Sequence, residues 1–296
     1  MTPVLDRVGR ATARADRPPA GAPARFRHLL VAEWIKLWSL RSTSWVLGVG
    51  ALAVIGINVN SAASNADRLA GLPGQLPAEP GIPDLPEFRF DPMHTAFVDP
   101  AWQLLLIITA AVGAIAVFGE YTSGLIRTTF AAVPDRRAVV AAKVTVISAV
   151  MLALGALVSG ASFGLTQMLL RDHGGLSLGD PGALRAVAAA ALLAPLSALI
   201  GMAVGATFRH AAGSIVAAIA LLLLLPALLQ GDRYRWVKEM GNAMPLSAWR
   251  RLVTNPERAG SFGKYPLTVT EAWMVYGAWA TVAVAVAVLV VRRRDV

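Results

Sequence analysis

Residues 186–208 read AVAAAALLAPLSALIGMAVGATF, 23 residues without one Asp, Glu, Lys or Arg. Coiled as a helix rising about 1.5 Å per residue, such a run is long enough to cross the ~30 Å hydrocarbon layer of a bilayer. The same pattern recurs on both sides of it. Charge-free apolar windows run from Ser42 to Ala66, Pro100 to Gly119, Val144 to Leu170, Ala186 to Phe208, Ala211 to Gly231 and Ala272 to Val291. The six windows hold 136 of the 296 residues and none of the 45 charges, so 28% of the other 160 residues are charged, as on an ordinary wet surface. The chain alternates between two solvents. It reads as an all-α integral membrane protein with six transmembrane helices, over about 43–62, 100–119, 142–170, 185–208, 211–230 and 272–291.

The formal net charge is +9, from 27 Lys and Arg against 18 Asp and Glu. In a soluble chain that balance would point to nucleic acid. Here it is a topology signal and an attraction to anionic headgroups, and no nucleic-acid partner is expected. Lys and Arg in successive polar segments number 8, 2, 4, 2, 1, 7 and 3, which gives 16 against 11 if the N-terminus is inside. The early segments, 8 against 2, weigh most, so both termini are expected in the cytoplasm. The absence of cysteine excludes disulfides, thiolate nucleophiles and Cys-ligated metals. Arg7, Arg10, Arg14, Arg17, Arg25 and Arg27 come with no apolar core before Trp45, which does not fit a cleaved signal peptide.

Residues 1–25 mix Arg, Ala, Pro and Gly without periodicity and are expected to form a disordered basic cytoplasmic tail; residues 26–296 form the six-helix domain. The domain opens with an amphipathic helix over about 26–41, in which Leu30, Val31, Trp34, Ile35, Leu37 and Trp38 share one arc and His28, Glu33, Lys36 and Ser39 the other. With Trp34, Lys36, Trp38 and Arg41 as anchors, it is expected to lie along the inner membrane surface. The first outer loop carries prolines at 73, 77, 80, 83, 86 and 92, and ends at Asp99-Pro100, where Asp can cap the next helix. His94 reads as a plain loop histidine. Gly160 and Gly164, and Gly201 and Gly205, are each four residues apart on one helix face and are expected to serve helix packing. Pro195 and Pro226 should each free a carbonyl and bend their helices.

Gly160-Ala161-Ser162-Phe163-Gly164 also matches the Gly-x-Ser-x-Gly pattern of serine hydrolases, so a membrane-embedded hydrolase using Ser162 is one alternative. The match lacks its context, because Ser162 lies within an apolar window and His28, His94, His173 and His210 all lie outside the window interiors. A non-energised scaffold or channel is a second alternative. No window contains the ionisable groups that many ion-coupled carriers use. Nor is there a Gly-x-x-x-x-Gly-Lys-[Ser/Thr] loop, because Gly263-Lys264 is followed by Tyr265. Any energy source is expected to lie on a separate subunit.

The inner loop between the second and third spans reads Glu120-Tyr121-Thr122-Ser123-Gly124-Leu125-Ile126-Arg127-Thr128, and continues to Pro134-Asp135-Arg136-Arg137 and Lys143. Glu120 ends an apolar helix, Gly124 permits a tight turn, residues 126–133 suit a short helix, and Pro134 stops it. The stretch Glu-Tyr-x-x-Gly-x-Ile-Arg-x-Thr with the later Pro-x-Arg-Arg resembles the first cytoplasmic loop of ABC transporter permeases of the type-2 exporter class, particularly short actinobacterial ones. Ala32-Glu33-Trp34-Ile35-Lys36-Leu37-Trp38 through Thr43 resembles the amphipathic helix before their first span, and Arg292-Arg293-Arg294-Asp295 their C-terminal ending.

That resemblance implies the permease subunit of an exporter, in the plasma membrane of a bacterium. It would form the path as a homo- or heterodimer with a second permease copy. A cytosolic ABC ATPase subunit would carry ATP and Mg, with no cofactor, metal or catalytic residue on this chain. It also implies that Glu120, Tyr121, Gly124, Arg127, Thr128, Pro134, Arg136 and Arg137 form the ATPase-coupling loop. Residues 232–271, with Trp236, Trp249 and Tyr265, would hold short re-entrant or interfacial helices on the outer side.

Overall fold

The structure, a computed structural model, describes residues 25–70, 91–125, 128–129, 135–208, 210–231, 233–256 and 264–293. The tail over 1–24, most of the proline-rich loop, the coupling residues Arg127 and Pro134, and Arg294 with Asp295 lie outside the described residues. So does most of the short helix expected over 126–133. The described chain is helical and shows no strand. Its helices are α1 (Phe26–Ser39), α2 (Arg41–Ala70), α3 (Pro92–Ala96), α4 (Asp99–Thr122), α5 (Arg136–Leu169), α6 (Ala183–Phe208), α7 (Ala211–Leu228), α8 (Arg235–Asn242), α9 (Pro245–Val253) and α10 (Val269–Arg293). Six of them, α2, α4 to α7 and α10, are long and apolar enough to cross a membrane. Each lies over one charge-free window, and α2 runs further than expected, through Asp67 and Arg68 to Ala70.

Helix α6 is the centre, packed on α4, α5, α7, α9 and α10. Its alanines and glycines let neighbouring backbones come close. A Cβ added to Gly201 would stand 2.0 Å from the carbonyl oxygen of Ala110 on α4, and one added to Gly113 of α4 would stand 2.0 Å from that of Ala198 on α6. Gly205 faces Ala114 in the same way, and Gly155 of α5 faces Ala191. In lipid, where apolar burial itself gives little drive, such close backbone contact supplies the dispersion that holds helices together. Gly160 and Gly164, also expected to pack, do not do so within this chain: both are exposed, with nothing within reach of an added Cβ. Gly160 lies five residues beyond Gly155, about 140° round a helix of 3.6 residues per turn, so it faces away from α6.

Both prolines are accommodated, in different ways. Pro195 sits buried within an unbroken α6. Before Pro226, residues 220–224 widen into a π-helical turn in which Leu225 N–H reaches back to the carbonyl of Ala220. A proline cannot supply the N–H that an α-helical turn needs there, and a wider turn redistributes the carbonyls.

The helix ends away from α1 are closed by aromatic packing and hydrogen bonds. Trp102 of α4 and Trp249 of α9 are fully buried with ring centroids 6.0 Å apart, and Phe97 stacks between Trp102 and Phe163. Short α3 is held under this cluster: Asp91 accepts from Met93 N and His94 N, Gln167 Nε2 donates to Pro92 O at 2.8 Å, and Asn65 Nδ2 donates to Thr95 Oγ1. His94 is thus on a helix, exposed. Asp99 does not cap α4. Val98 holds the capping position without a side-chain bond, and Asp99 pairs instead with Arg250 at 3.0 Å. That pair, with Arg235 on Glu239 at 2.7 Å, neutralises two of the many basic residues of the 232–271 loop. The loop does contain two short helices: α8 is mostly exposed, whereas α9 is buried against α6 and α10.

Candidate functional site

Helix α1 stops at Ser39, and Leu40 adopts extended backbone (φ −87°, ψ 101°) before α2 begins at Arg41. This elbow swings α1 across the ends of α4 and α5. Its protein-facing stripe is Leu29, Glu33 and Leu37, four residues apart, and Leu29 packs on Val139 and Ala142 of α5. Val31, Trp34, Ile35 and Trp38 are exposed on the other side, with the Trp34 and Trp38 rings 5.7 Å apart. The arcs expected from periodicity therefore need correction. Glu33 was expected on the wet face and is only 5% exposed, while Leu37 leaves the tryptophan face for the protein side.

Glu33 can be buried because two lysines meet it. Lys36 Nζ donates to Glu33 Oε1 at 2.8 Å and to Glu120 Oε1 at 2.9 Å. Lys143 Nζ donates to Glu33 Oε2 and, at 2.9 Å, to the same Glu120 Oε1. Three helices are joined in this way: α1 gives Glu33 and Lys36, the last turn of α4 gives Glu120, and the second turn of α5 gives Lys143. The four charges cancel, which is what allows a group so little exposed to remain ionised. Burial works against the Lys36 ammonium, but its hydrogen bonds to Glu33 and Glu120 and the attraction of both carboxylates outweigh it and hold its pKa above 10.5.

Behind the quartet lies a cavity of about 300 Å³ between the elbow, α4 and α5. Leu37, Leu40, Val112, Ile115, Val146 and Ile147 supply its apolar wall, and all four charged residues line its other side. The turn beyond Glu120 follows directly. Ser123 ends α4, its hydroxyl donating to Gly119 O at 2.7 Å, and Gly124 takes the left-handed φ of +72° that favours glycine. Thr128 is exposed and bonds Leu125 O at 2.9 Å. Tyr121 is half-buried against the core. Asp135 caps α5 through Arg137 N and Ala138 N, placing Arg136 and exposed Arg137 in its first turn.

The structure thus brings together Lys36, expected as a membrane anchor, and Glu120, expected in the coupling loop. Sequence reading gave no such role to Glu33 or a partner to Lys143. A signal was present: Glu120 directly follows the second window and Lys143 directly precedes the third, so opposite charges bracket adjacent spans at one end. Ser162 lies elsewhere. It is fully buried, and its hydroxyl accepts from Asn58 Nδ2 at 3.1 Å, while Asn58 Oδ1 accepts from Val98 N. This joins α2, α5 and the start of α4. Among the described residues, no group of three or more His, Asp or Glu is placed to hold a metal ion. No protein-family model matches the chain, and no curated protein is significantly similar to it.

Proposed function

We propose that this chain is the transmembrane permease subunit of an ATP-driven ABC exporter in a bacterial plasma membrane. Both termini are then cytoplasmic and α1 lies at the inner membrane surface. Two permease copies form the path, and a separate cytosolic ATPase drives it through the loop after Glu120. The observation that carries this reading is the quartet. Glu120 sits at the root of that loop and is bonded to α1 and α5, so a force applied to the loop reaches three helices through charge-assisted bonds rather than one. The exposed Trp34 and Trp38 on the far side of α1 suit a helix resting at the headgroup level. The resemblance in sequence supplies the partner and the direction.

The test is reconstitution with an ATPase encoded beside this chain. The two should co-purify in detergent, and the permease should stimulate ATP turnover in proteoliposomes. Glu120→Ala should leave the pair assembled yet cut that stimulation by at least about tenfold, as the loss of one positioned charged contact does. Failure of any such ATPase to bind, or full stimulation by Glu120→Ala, overturns the reading.

A further inference from the structure

We infer that the cavity behind the quartet is a binding site for a phospholipid whose headgroup carries a phosphate and a primary ammonium. The inference rests on the bonds the quartet leaves unmade and does not depend on an ATPase. Each lysine ammonium has three N–H donors, and both Lys36 and Lys143 use two of theirs on carboxylates. Glu33 uses both oxygens. Glu120 receives both lysines on Oε1, and its Oε2 carries no hydrogen bond among the described residues. Two donors and one acceptor are therefore left over on residues that line one cavity.

The chemistry of the occupant follows from those valences. Two lysines and two glutamates sum to zero charge, so a net anion gains little attraction while a zwitterion gains at both ends. A phosphate takes the lysine N–H groups, and an ammonium donates to Glu120 Oε2. A quaternary ammonium has no N–H to give that oxygen and is the poorer fit. The rest of the cavity is apolar, through Leu37, Leu40, Val112, Ile115, Val146 and Ile147, and accepts part of an acyl chain. Its place along α5 agrees: Lys143 directly precedes the charge-free window that opens at Val144, where a polar segment gives way to an apolar span.

The experiment is native mass spectrometry on delipidated full-length protein, with phosphoethanolamine, phosphocholine and phosphoglycerol lipids of identical acyl chains added one at a time. The phosphoethanolamine lipid should be held about tenfold more tightly than the other two, the factor one charge-assisted hydrogen bond supplies. In Glu120→Gln that preference should fall below about twofold. Because this variant also disturbs the quartet, Ala116→Phe serves as a second: Ala116 of α4 also lines the cavity, so the ring keeps all four charges, fills the apolar part, and should abolish preferential retention. Free phosphoethanolamine, which has no tail, should not displace the lipid. Equal retention of the three lipids by the unaltered protein, an undiminished preference in Ala116→Phe, or displacement by the free headgroup would each overturn the inference.

Discussion

The α4–α6 seam and the attachment of α1 both join neighbouring helices, by opposite means. Along the seam the backbones touch directly where Gly113 and Gly201 each lie against a carbonyl of the other helix, and only the short hydroxyls of Thr109 and Ser197, 2.6 Å apart, bridge it beside them. At α1 four long charged side chains span the gap and a cavity of about 300 Å³ remains behind them. A backbone contact has one geometry and loses its dispersion within an ångström, whereas ammonium and carboxylate groups can exchange partners and follow a moving helix. The seam makes α4 and α6 one body, and α1 is an element that can shift against it. A loop pushing on Glu120 would thus act on the adjustable end of a stiff bundle.

The sharpest way to break that comparison is to put a side chain into the seam. Gly201→Leu places a Cβ where the Ala110 carbonyl oxygen already stands, and no rotamer relieves a clash with backbone. It should prevent recovery of monodisperse protein by size-exclusion chromatography. Gly160→Leu, on the same spacing motif but facing outward, should change stability by no more than about 0.5 kcal/mol. Equal behaviour of the two variants would mean that the seam is not what holds α4 to α6. Next in size is Trp102→Ala, in the first turn of α4, the seam's other helix. Removing this fully buried ring from beside Trp249 and Phe97 should cost about 3 kcal/mol, the low end for such truncations because lipid-side transfer adds little. Thermal unfolding in detergent measures it.

At the α1 attachment, Glu33→Ala should cost less of the global fold and more of one local contact. It strands Lys143 and Lys36 with Glu120 alone, a loss of about 2 kcal/mol for hydrogen bonds to charged groups. The comparison predicts that this loss shows as faster amide exchange in α1 and the first turns of α5, with α4 and α6 unchanged. Exchange that rises uniformly through the bundle would make α1 part of the rigid body instead.

How much of this was legible follows from what each feature depends on. The spans were readable because every apolar window is bracketed by charges, and membrane crossing depends on local composition alone. Gly201 and Gly205 were found through their spacing, yet Gly160 and Gly164 share that spacing and face outward. Spacing defines a helix face and says nothing of what covers it. Gly113 and Gly155 belong to no motif and were invisible, although each is as tightly packed as Gly201. Glu33 was placed on the wet side because it is charged. Its burial required knowing that Glu33 and Lys143, 110 residues apart, would meet, and the one local hint was the Leu29, Glu33, Leu37 stripe that a simple two-arc reading treats as noise.

The smallest expected effect is a pH response, and its sign separates lysine from every other titrating group nearby. Lys36 is held above its ordinary value, since Glu33 and Glu120 together outweigh the cost of burial. A group raised on folding contributes its full stabilisation below its unfolded pKa, near 10.4 for lysine, and loses it only as pH rises through the higher folded value. Docking of α1 should therefore be flat from about pH 6 to 9 and loosen only above about 10.5. The lack of native cysteine makes the measurement direct: Ala32→Cys and Ala141→Cys, both exposed, accept a spin-label pair that reports the α1–α5 distance. The alkaline step should disappear in Lys36→Met. A distance change between about pH 6 and 9, or an alkaline step that persists in Lys36→Met, would remove Lys36 from the attachment.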